Sequence, residues 1–417
     1  MKAVVVGGGI IGLSTSLYLR RSGWDVTILD KGDFLDNCSY GNAGYICPSH
    51  FIPLATPGIV KQGLKWMWNS KSPFYVQPRF DLNLINWGLK FMQSATAQQV
   101  EAVAAPLRDI AIFSKNEYEA WTREPGLSFA YEHKGLLEIF QTEEAARHAQ
   151  HTLEKAQELG LSDTVMLNKQ ELDQLEPGVK MNAIGALFFK CDAHCYPNKL
   201  MQQLLDWLSA SGVRLVKNTE VTGFETSNGR INKVLAGKEA FDADEIVLAT
   251  GSWGRQTAAL LNVRIPLMPG RGYSVTLENS PYKLNYPSIL VEGRVATTPM
   301  DGNKIRFGGT MEVTSHKTPP RMNRVQGILD TVKRYYPEFD IPLPPTDKIW
   351  YGYRPCSADG LPFIGRVKKY TNLTVATGHS MLGLSLGAGT GKLVSEFVNH
   401  TPLSMDMQAF DVERFSR

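Results

Sequence analysis

No run of apolar residues in this chain reaches the ~18 that a helix needs to cross a bilayer. That absence argues against a membrane-spanning protein. Nor does the start read as a signal peptide, because its apolar run breaks at three glycines with a structural use of their own. Cysteine is scarce. There are five (Cys38, Cys47, Cys191, Cys195, Cys356), odd in number and scattered, which fits a reducing compartment without structural disulfides. Neither sign of charge is in excess: 44 Lys and Arg face 41 Asp and Glu, net +3, too balanced for a nucleic-acid partner. Internal repeats and low-complexity segments are missing too. What remains is an ordinary globular composition, 43% hydrophobic and 20% charged, in 417 residues, long enough for two domains.

The most informative stretch is Val4-Val5-Val6-Gly7-Gly8-Gly9-Ile10-Ile11-Gly12. An apolar run predicts a buried strand. Gly7, Gly9 and Gly12 stand at G-x-G-x-x-G spacing and turn the chain into a helix. Ile10, Leu13 and Leu17 give that helix an apolar face, and Gly23 suits its end. Val26 to Leu29 predicts the next strand, ending at Asp30, 18 residues after Gly12. Small residues let backbone approach a pyrophosphate, the helix N-terminus offers N–H donors, and the carboxylate takes ribose hydroxyls. A dinucleotide site follows, with FAD favoured over NAD because further cofactor contacts lie elsewhere in the chain.

Beyond this unit comes a small-residue loop, Ser39 to Gly44, then residues 48–58, which four Pro and Gly residues keep irregular. Residues 59–95 are rich in Trp, Met and Lys. Helices are predicted over 97–122, 142–160, 198–211 and about 390–399, and an antiparallel sheet over 265–312. Two strands, Val247 to Gly251 and Val375 to Gly378, both stop at Thr-Gly, where backbone can approach a ligand.

With these features together, the chain resembles the D-amino acid oxidase / glycine oxidase superfamily of FAD-dependent oxidoreductases, and within it the bacterial D-amino acid dehydrogenases. The resemblance runs over essentially the whole chain. It implies an α/β (α+β) fold, a Rossmann-like FAD-binding domain with a mixed antiparallel-sheet substrate domain. The FAD domain would be discontinuous (1–95, 192–265 and 346–417), with 96–191 and 266–345 the substrate domain. It implies non-covalent FAD held by Gly7, Gly9, Ile10, Ile11, Gly12, Asp30, Lys31, Ser39, Asn42, Ala43, Gly44, Val221, Thr250, Gly251, Gly378, Gly383, Leu384 and Ser385.

The activity implied is oxidative deamination of a D-amino acid to a 2-oxo acid and ammonia. A hydride would pass from Cα to flavin N5, and electrons would go on to a quinone or other non-oxygen acceptor. The alternatives are an oxidase or dehydrogenase of glycine, sarcosine or a cyclic amino acid such as D-proline or hydroxyproline, and, remotely, a non-catalytic flavin subunit. A substrate carboxylate held in a dry pocket needs a guanidinium, for which Arg354 is the candidate. Arg271 stands as reserve, and Tyr273 would add a hydroxyl. His379 and His50 are candidates to tune the flavin or the amine. Met381 stands where glycine oxidases carry an arginine, which favours an apolar or ring side chain on the substrate.

Three motifs are discounted. Gly383-Leu384-Ser385-Leu386-Gly387 fits a hydrolase elbow, but the only downstream histidine is His400 and the one acid before it, Glu396, lies four residues away on the same helix. Gly387 to Lys392 misses the P-loop spacing. Cys191, His194 and Cys195 lack a second ligand pair, so no metal is expected. Trp66 and Trp68, with Lys61, Lys65 and Lys71 nearby, leave open a peripheral contact on the inner face of the membrane for a protein otherwise expected in the cytoplasm.

Overall fold

The computed structural model describes residues 1–59, 63 and 71–416; Lys61, Lys65, Trp66, Met67 and Trp68 lie outside the described residues. The strand Lys2–Val6 is central in a six-stranded sheet, parallel to Asp25–Leu29 on one side and Glu245–Leu248 on the other. Arg214–Val216 and Leu373–Thr377 extend it in parallel, and Phe363–Arg366 closes one edge antiparallel. Both faces are covered, which is why its strands read as continuous apolar runs. Ala3 and Val5 join the core beneath the helices Ile10–Arg21, Pro197–Ala210 and Gly387–Asn399. Val4 and Val6 point the other way, into a core shared with the antiparallel strands Val221–Ser227, Arg230–Ala236 and Glu239–Asp242.

The long helix Ala97–Trp121 buries Val103, Leu107, Ile110, Ala111, Tyr118 and Trp121 in this same nucleotide-side core, although it falls within the segment expected to form the substrate domain. Its apolar stripe gives no sign in sequence of which sheet it will cover. Gly389 and Gly391 let helix Gly387–Asn399 approach within contact of Ser114 on this helix and Ser14 on the first one. That packing accounts for the phosphate-loop-like glycines.

The second sheet has nine strands. From one edge, eight run in the order Trp350–Ser357, Leu267–Leu277, Lys304–Val313, Val295–Met300, Ser288–Leu290, Leu136–Phe140, Gly185–Phe189, Thr164–Asn168; Phe74–Val76 pairs off this path with Lys304–Val313. Thus Trp350–Ser357 and Phe74–Val76, placed by sequence with the FAD-domain segments, contribute their strands here. Cross-strand partners share a face, so the register sorts the side chains. Gly270 pairs with Arg354, Gly272 with Gly352, and Ser274 with both Trp350 and Gly308. Gly308 pairs with Ala296, Ala296 with Ile289, and Ile289 with Glu138. All of these lie on one face. Arg271, Tyr273, Tyr351, Tyr353 and Glu312 lie on the other, where the helix Met322–Tyr335 packs against Tyr273. A bulge between Arg271 and Tyr273, with Thr310 at φ 59° on the partner strand, keeps both stretches in phase.

Candidate active site

A single cavity of about 1230 Å³ runs from the first glycine turn to the nine-stranded sheet. That exceeds the ~300–1,000 Å³ of an ordinary small-molecule site. At its nucleotide end Gly7 has φ +111°, and a Cβ there would stand 2.4 Å from the Ala249 carbonyl oxygen, so only glycine fits. The helix that follows has no side-chain cap of its own; Ser39 Oγ, from the small-residue loop, accepts from Ile10 N at 3.0 Å. Asp30 accepts from Gly8 N at 2.6 Å and Gly32 N at 2.7 Å, one bond on each oxygen, which leaves lone pairs toward the cavity. Lys31 Nζ lies 3.3 Å from the centroid of the Trp253 ring, and burial lowers its pKa.

Gly9, Ile10, Ile11, Asp30, Lys31, Ser39, Asn42, Ala43, Val221, Thr250, Gly251, Gly383, Leu384 and Ser385 all line the cavity. Gly12, Gly44 and Gly378 sit behind it. A Cβ on them would strike Gly7 O, Cys195 O and the Phe363 ring, so they shape the wall from outside. Ser385 Oγ accepts from Cys47 N, which ties the C-terminal loop to the residues before His50. Arg306 went unnoticed in sequence. It is buried and donates to the carbonyls of Tyr40 and Asn42 at 2.7 Å, and so fixes the small-residue loop.

The two arginines weighed for the carboxylate occupy opposite faces of the sheet. Arg354 lines the cavity, its guanidinium lying across Gly272, where a Cβ would be 2.3 Å from Cζ. Its Nη1 donates to Thr310 O and touches Met311 Sδ at 3.9 Å; among the described residues no carboxylate pairs with it. Desolvation lowers its pKa, the mark of a cation short of a counter-ion. Arg271 is fully buried and fully used, with Nη2 at 2.8 Å from Glu312 and further bonds to Thr318 O and Pro319 O. It is thereby removed as the reserve clamp.

Tyr273 borders the same cavity, but not as the sequence suggests. It stands on the face away from Arg354. Its hydroxyl donates to Glu312 at 3.2 Å and accepts from Arg321 N at 2.9 Å. A strand tyrosine turned by one residue of register meets the helix layer instead of the substrate. His379 also lines the cavity; its Nε2 bonds Thr390 Oγ1 at 3.1 Å, and complete burial drives its pKa down to about 3, leaving a neutral ring. His50 does line the cavity, its Nδ1 3.1 Å from Ser49 Oγ, and burial lowers it to about 4. Met381 lines the cavity mouth, 45% exposed.

Cys47, His50 and Asp192 place ligand atoms within 4.8 Å of one another. Asp192 is already bonded by Ser49 N and Oγ, with a Cys191 thiol contact besides, so hydrogen bonds explain the grouping. Cys38 lines the cavity, but its thiol donates to Tyr353 O at 3.0 Å and burial raises it to about 11, which keeps it protonated and unreactive. Three residues that line this cavity carry a buried polar atom without a partner: Thr250 Oγ1, Thr310 Oγ1 and the Trp350 indole Nε1. A glycine cradle, an open-ended carboxylate and orphaned donors along one elongated cavity fit a flavin dinucleotide.

The family model for FAD dependent oxidoreductases, DAO, matches residues 2–397. A D-amino acid dehydrogenase of Granulibacter bethesdensis is 27% identical, with all of both chains aligned. One from Helicobacter pylori is 29% identical over 94% of each chain. The crystal structure of glycine oxidase from Geobacillus kaustophilus superposes with a TM-score of 0.77 at 21% identity, covering 99% of this chain and 98% of that one. With the glycine cradle and the two-sheet architecture already in view, the match over nearly the whole length places this chain in the DAO family of FAD-dependent oxidoreductases.

Proposed function

We propose that the enzyme oxidises D-amino acids to 2-oxo acids and ammonia and passes the electrons to an acceptor other than oxygen. The observation that carries this reading is Arg354, a partly buried guanidinium lacking a carboxylate partner at the sheet end of the cavity. The names of the relatives support it. Bound there, FAD supplies a two-electron acceptor for the substrate's Cα–H. Gly7 to Ile11 would hold its diphosphate, Asp30 its ribose, and the loops Ser39 to Ala43 and Gly383 to Ser385 its ring system.

Arg354 would clamp the substrate carboxylate with two parallel N–H donors, which fixes Cα in the one position from which its hydrogen can leave. His50, neutral because it is buried, would face the amine as a hydrogen-bond partner and not as a competing cation. Met381 and Met311 would enclose the side chain and exclude water. The imine product then takes up water and releases ammonia. The protonated Cys38 thiol supports non-covalent FAD.

The test is anaerobic flavin reduction by a panel of D- and L-amino acids, followed by reoxidation with dye, quinone or air. Bleaching by D-amino acids and fast reoxidation by the dye are expected. Bleaching by L-isomers alone, or rapid stoichiometric peroxide in air, would sink the reading.

Among the described residues no helix is long and apolar enough to cross a membrane. The helix Leu82–Ser94 does expose Leu82, Ile85, Leu89 and Met92 along one side, with Phe80 just before it 92% exposed. Such a stripe supports peripheral contact with a lipid surface, where a quinone would be met. Flotation with anionic vesicles, lost in a Phe80→Ser/Leu89→Ser variant, checks it.

A further inference from the structure

Glu138 has no part in the reading above. It sits in the middle of the strand Leu136–Phe140, between Leu187 on one neighbouring strand and Ile289 on the other. Its four strand-mates are buried and apolar. Its side chain lines the active-site cavity, and among the described residues no hydrogen bond or ion pair reaches it. A carboxylate in such a place costs several kcal/mol unless something donates to it. Burial accordingly pushes its pKa up to about 7, with Asp192 adding to the rise and Arg294 opposing it.

Its position is as informative as its isolation. The register places Glu138 on the same face of the sheet as Arg354. Between them the row passes through Ile289, Ala296 and Gly308, two of the three small. Gly270 and Gly272 continue the low floor beneath Arg354. The result is a trough. The Arg354 guanidinium stands over the strand that carries Thr310. Glu138 lies three strands further on, roughly 14 Å of sheet. An α-amino acid whose carboxylate sits at Arg354 has a low floor along which its side chain can extend toward Glu138.

We propose that Glu138 ends the substrate trough opposite Arg354 and accepts a hydrogen bond from a hydroxyl or ammonium group at the far end of the amino-acid side chain. This assignment rests on the reading of the reaction given above. It makes the enzyme selective for polar side chains over apolar ones of the same shape. A site built to accept a hydrogen bond rejects the analogue that cannot supply one, because its own polar group is then left unpaired.

The probes are isosteric sets at two lengths. D-lysine, 6-hydroxy-D-norleucine and D-2-aminoheptanoate differ only in the terminal group, as do D-homoserine and D-norvaline. The holoenzyme should show kcat/KM at least about tenfold higher for a donor-bearing member than for its apolar partner in one set or both. The lysine and hydroxynorleucine arms separate ammonium from hydroxyl. Glu138→Leu should bring the preference to within about twofold of unity or invert it, and Glu138→Gln should keep part of it. Without substrate, Glu138→Leu holoenzyme should melt at a higher temperature than wild type, since an unpartnered carboxylate has been removed.

A wild-type preference for the apolar member in both sets would overturn the assignment, as would a donor preference that survives Glu138→Leu. A lower melting temperature in both variants would show that Glu138 supports the fold and would also overturn it. A wild-type flavin that none of these compounds bleaches, and that no other amino acid bleaches, would overturn the reaction and this inference together. Bleaching with no dependence on Glu138 overturns this inference alone.

Discussion

The two faces of the nine-stranded sheet each carry an arginine and a glutamate, and they use them in opposite ways. On the helix-covered face Arg271 and Glu312 are joined at 2.8 Å, both fully buried, with Tyr273 and Arg321 adding bonds to the same carboxylate. On the cavity face Arg354 and Glu138 stand about three strands apart, and neither has a charged partner in contact. A buried charge that is already satisfied holds the fold. One that is left unsatisfied is held in readiness for a ligand, at a cost in stability. Composition alone would not separate the two pairs. The register does.

The largest effect should come from breaking the joined pair. Arg271→Met leaves Glu312 buried without its main partner and should lower stability by about 3–5 kcal/mol. Urea melts would show it, and the double variant Arg271→Met/Glu312→Leu should recover much of the loss. If Arg271→Met were as stable as wild type, the contrast between the faces would fail.

Next is the unjoined arginine. Arg354→Ala should cost about 2–5 kcal/mol of substrate recognition, roughly 30-fold to several-thousand-fold in kcat/KM. FAD content and melting temperature should not fall. Arg354→Lys should recover only part, because a point charge cannot make the two-pronged contact. Near-normal kinetics in Arg354→Ala would move the clamp elsewhere.

A pH series sharpens the comparison of the two glutamates. The folded pKa of Glu138 is raised from its ordinary 4.5 to about 7, so the folded state holds its proton more tightly than the unfolded chain. The stability tied to this proton is therefore full below about pH 4.5 and is lost as pH rises through about 7. Glu176, also raised to about 7, and Asp192, raised to about 6, act in the same direction. Glu138→Gln should flatten part of this slope in substrate-free protein, and a Glu138→Gln melting profile that tracks wild type over pH 5–7.5 would count against an isolated carboxylate.

The smallest effect belongs to Tyr273→Phe. Loss of its bonds to Glu312 and Arg321 N should cost about 1 kcal/mol of stability. Substrate kcat/KM should stay within about twofold, since the hydroxyl is taken up by Glu312 and Arg321 N on the face away from Arg354. A tenfold fall would restore Tyr273 to the substrate side and overturn the face assignment.

Much of this molecule is legible without coordinates. The glycine turn, Asp30 and the Thr-Gly strand ends are local signals, written in residues close together in sequence, and each depends on backbone approach that only small residues permit. Arg354 was reachable because its motif is local too. The faces were not reachable. Whether Tyr273 or Gly272 meets the substrate depends on pairing with Trp350–Ser357 and on a bulge at Thr310, and a shift of one residue exchanges every side chain between cavity and core. Helix Ala97–Trp121 likewise carries an apolar stripe that does not say which sheet it covers. Glu138 and Arg306 gave no sequence signal at all, one a lone acid in an apolar strand and the other a lone base. Their meaning comes from strands more than 100 residues away, and long-range pairing of that kind is settled by the packing of the whole sheet. Local motifs were enough to name the cofactor and to single out Arg354; which charges are paired, and so which ones we propose meet the substrate, follows from strand register, because that is set by contacts far apart in the chain.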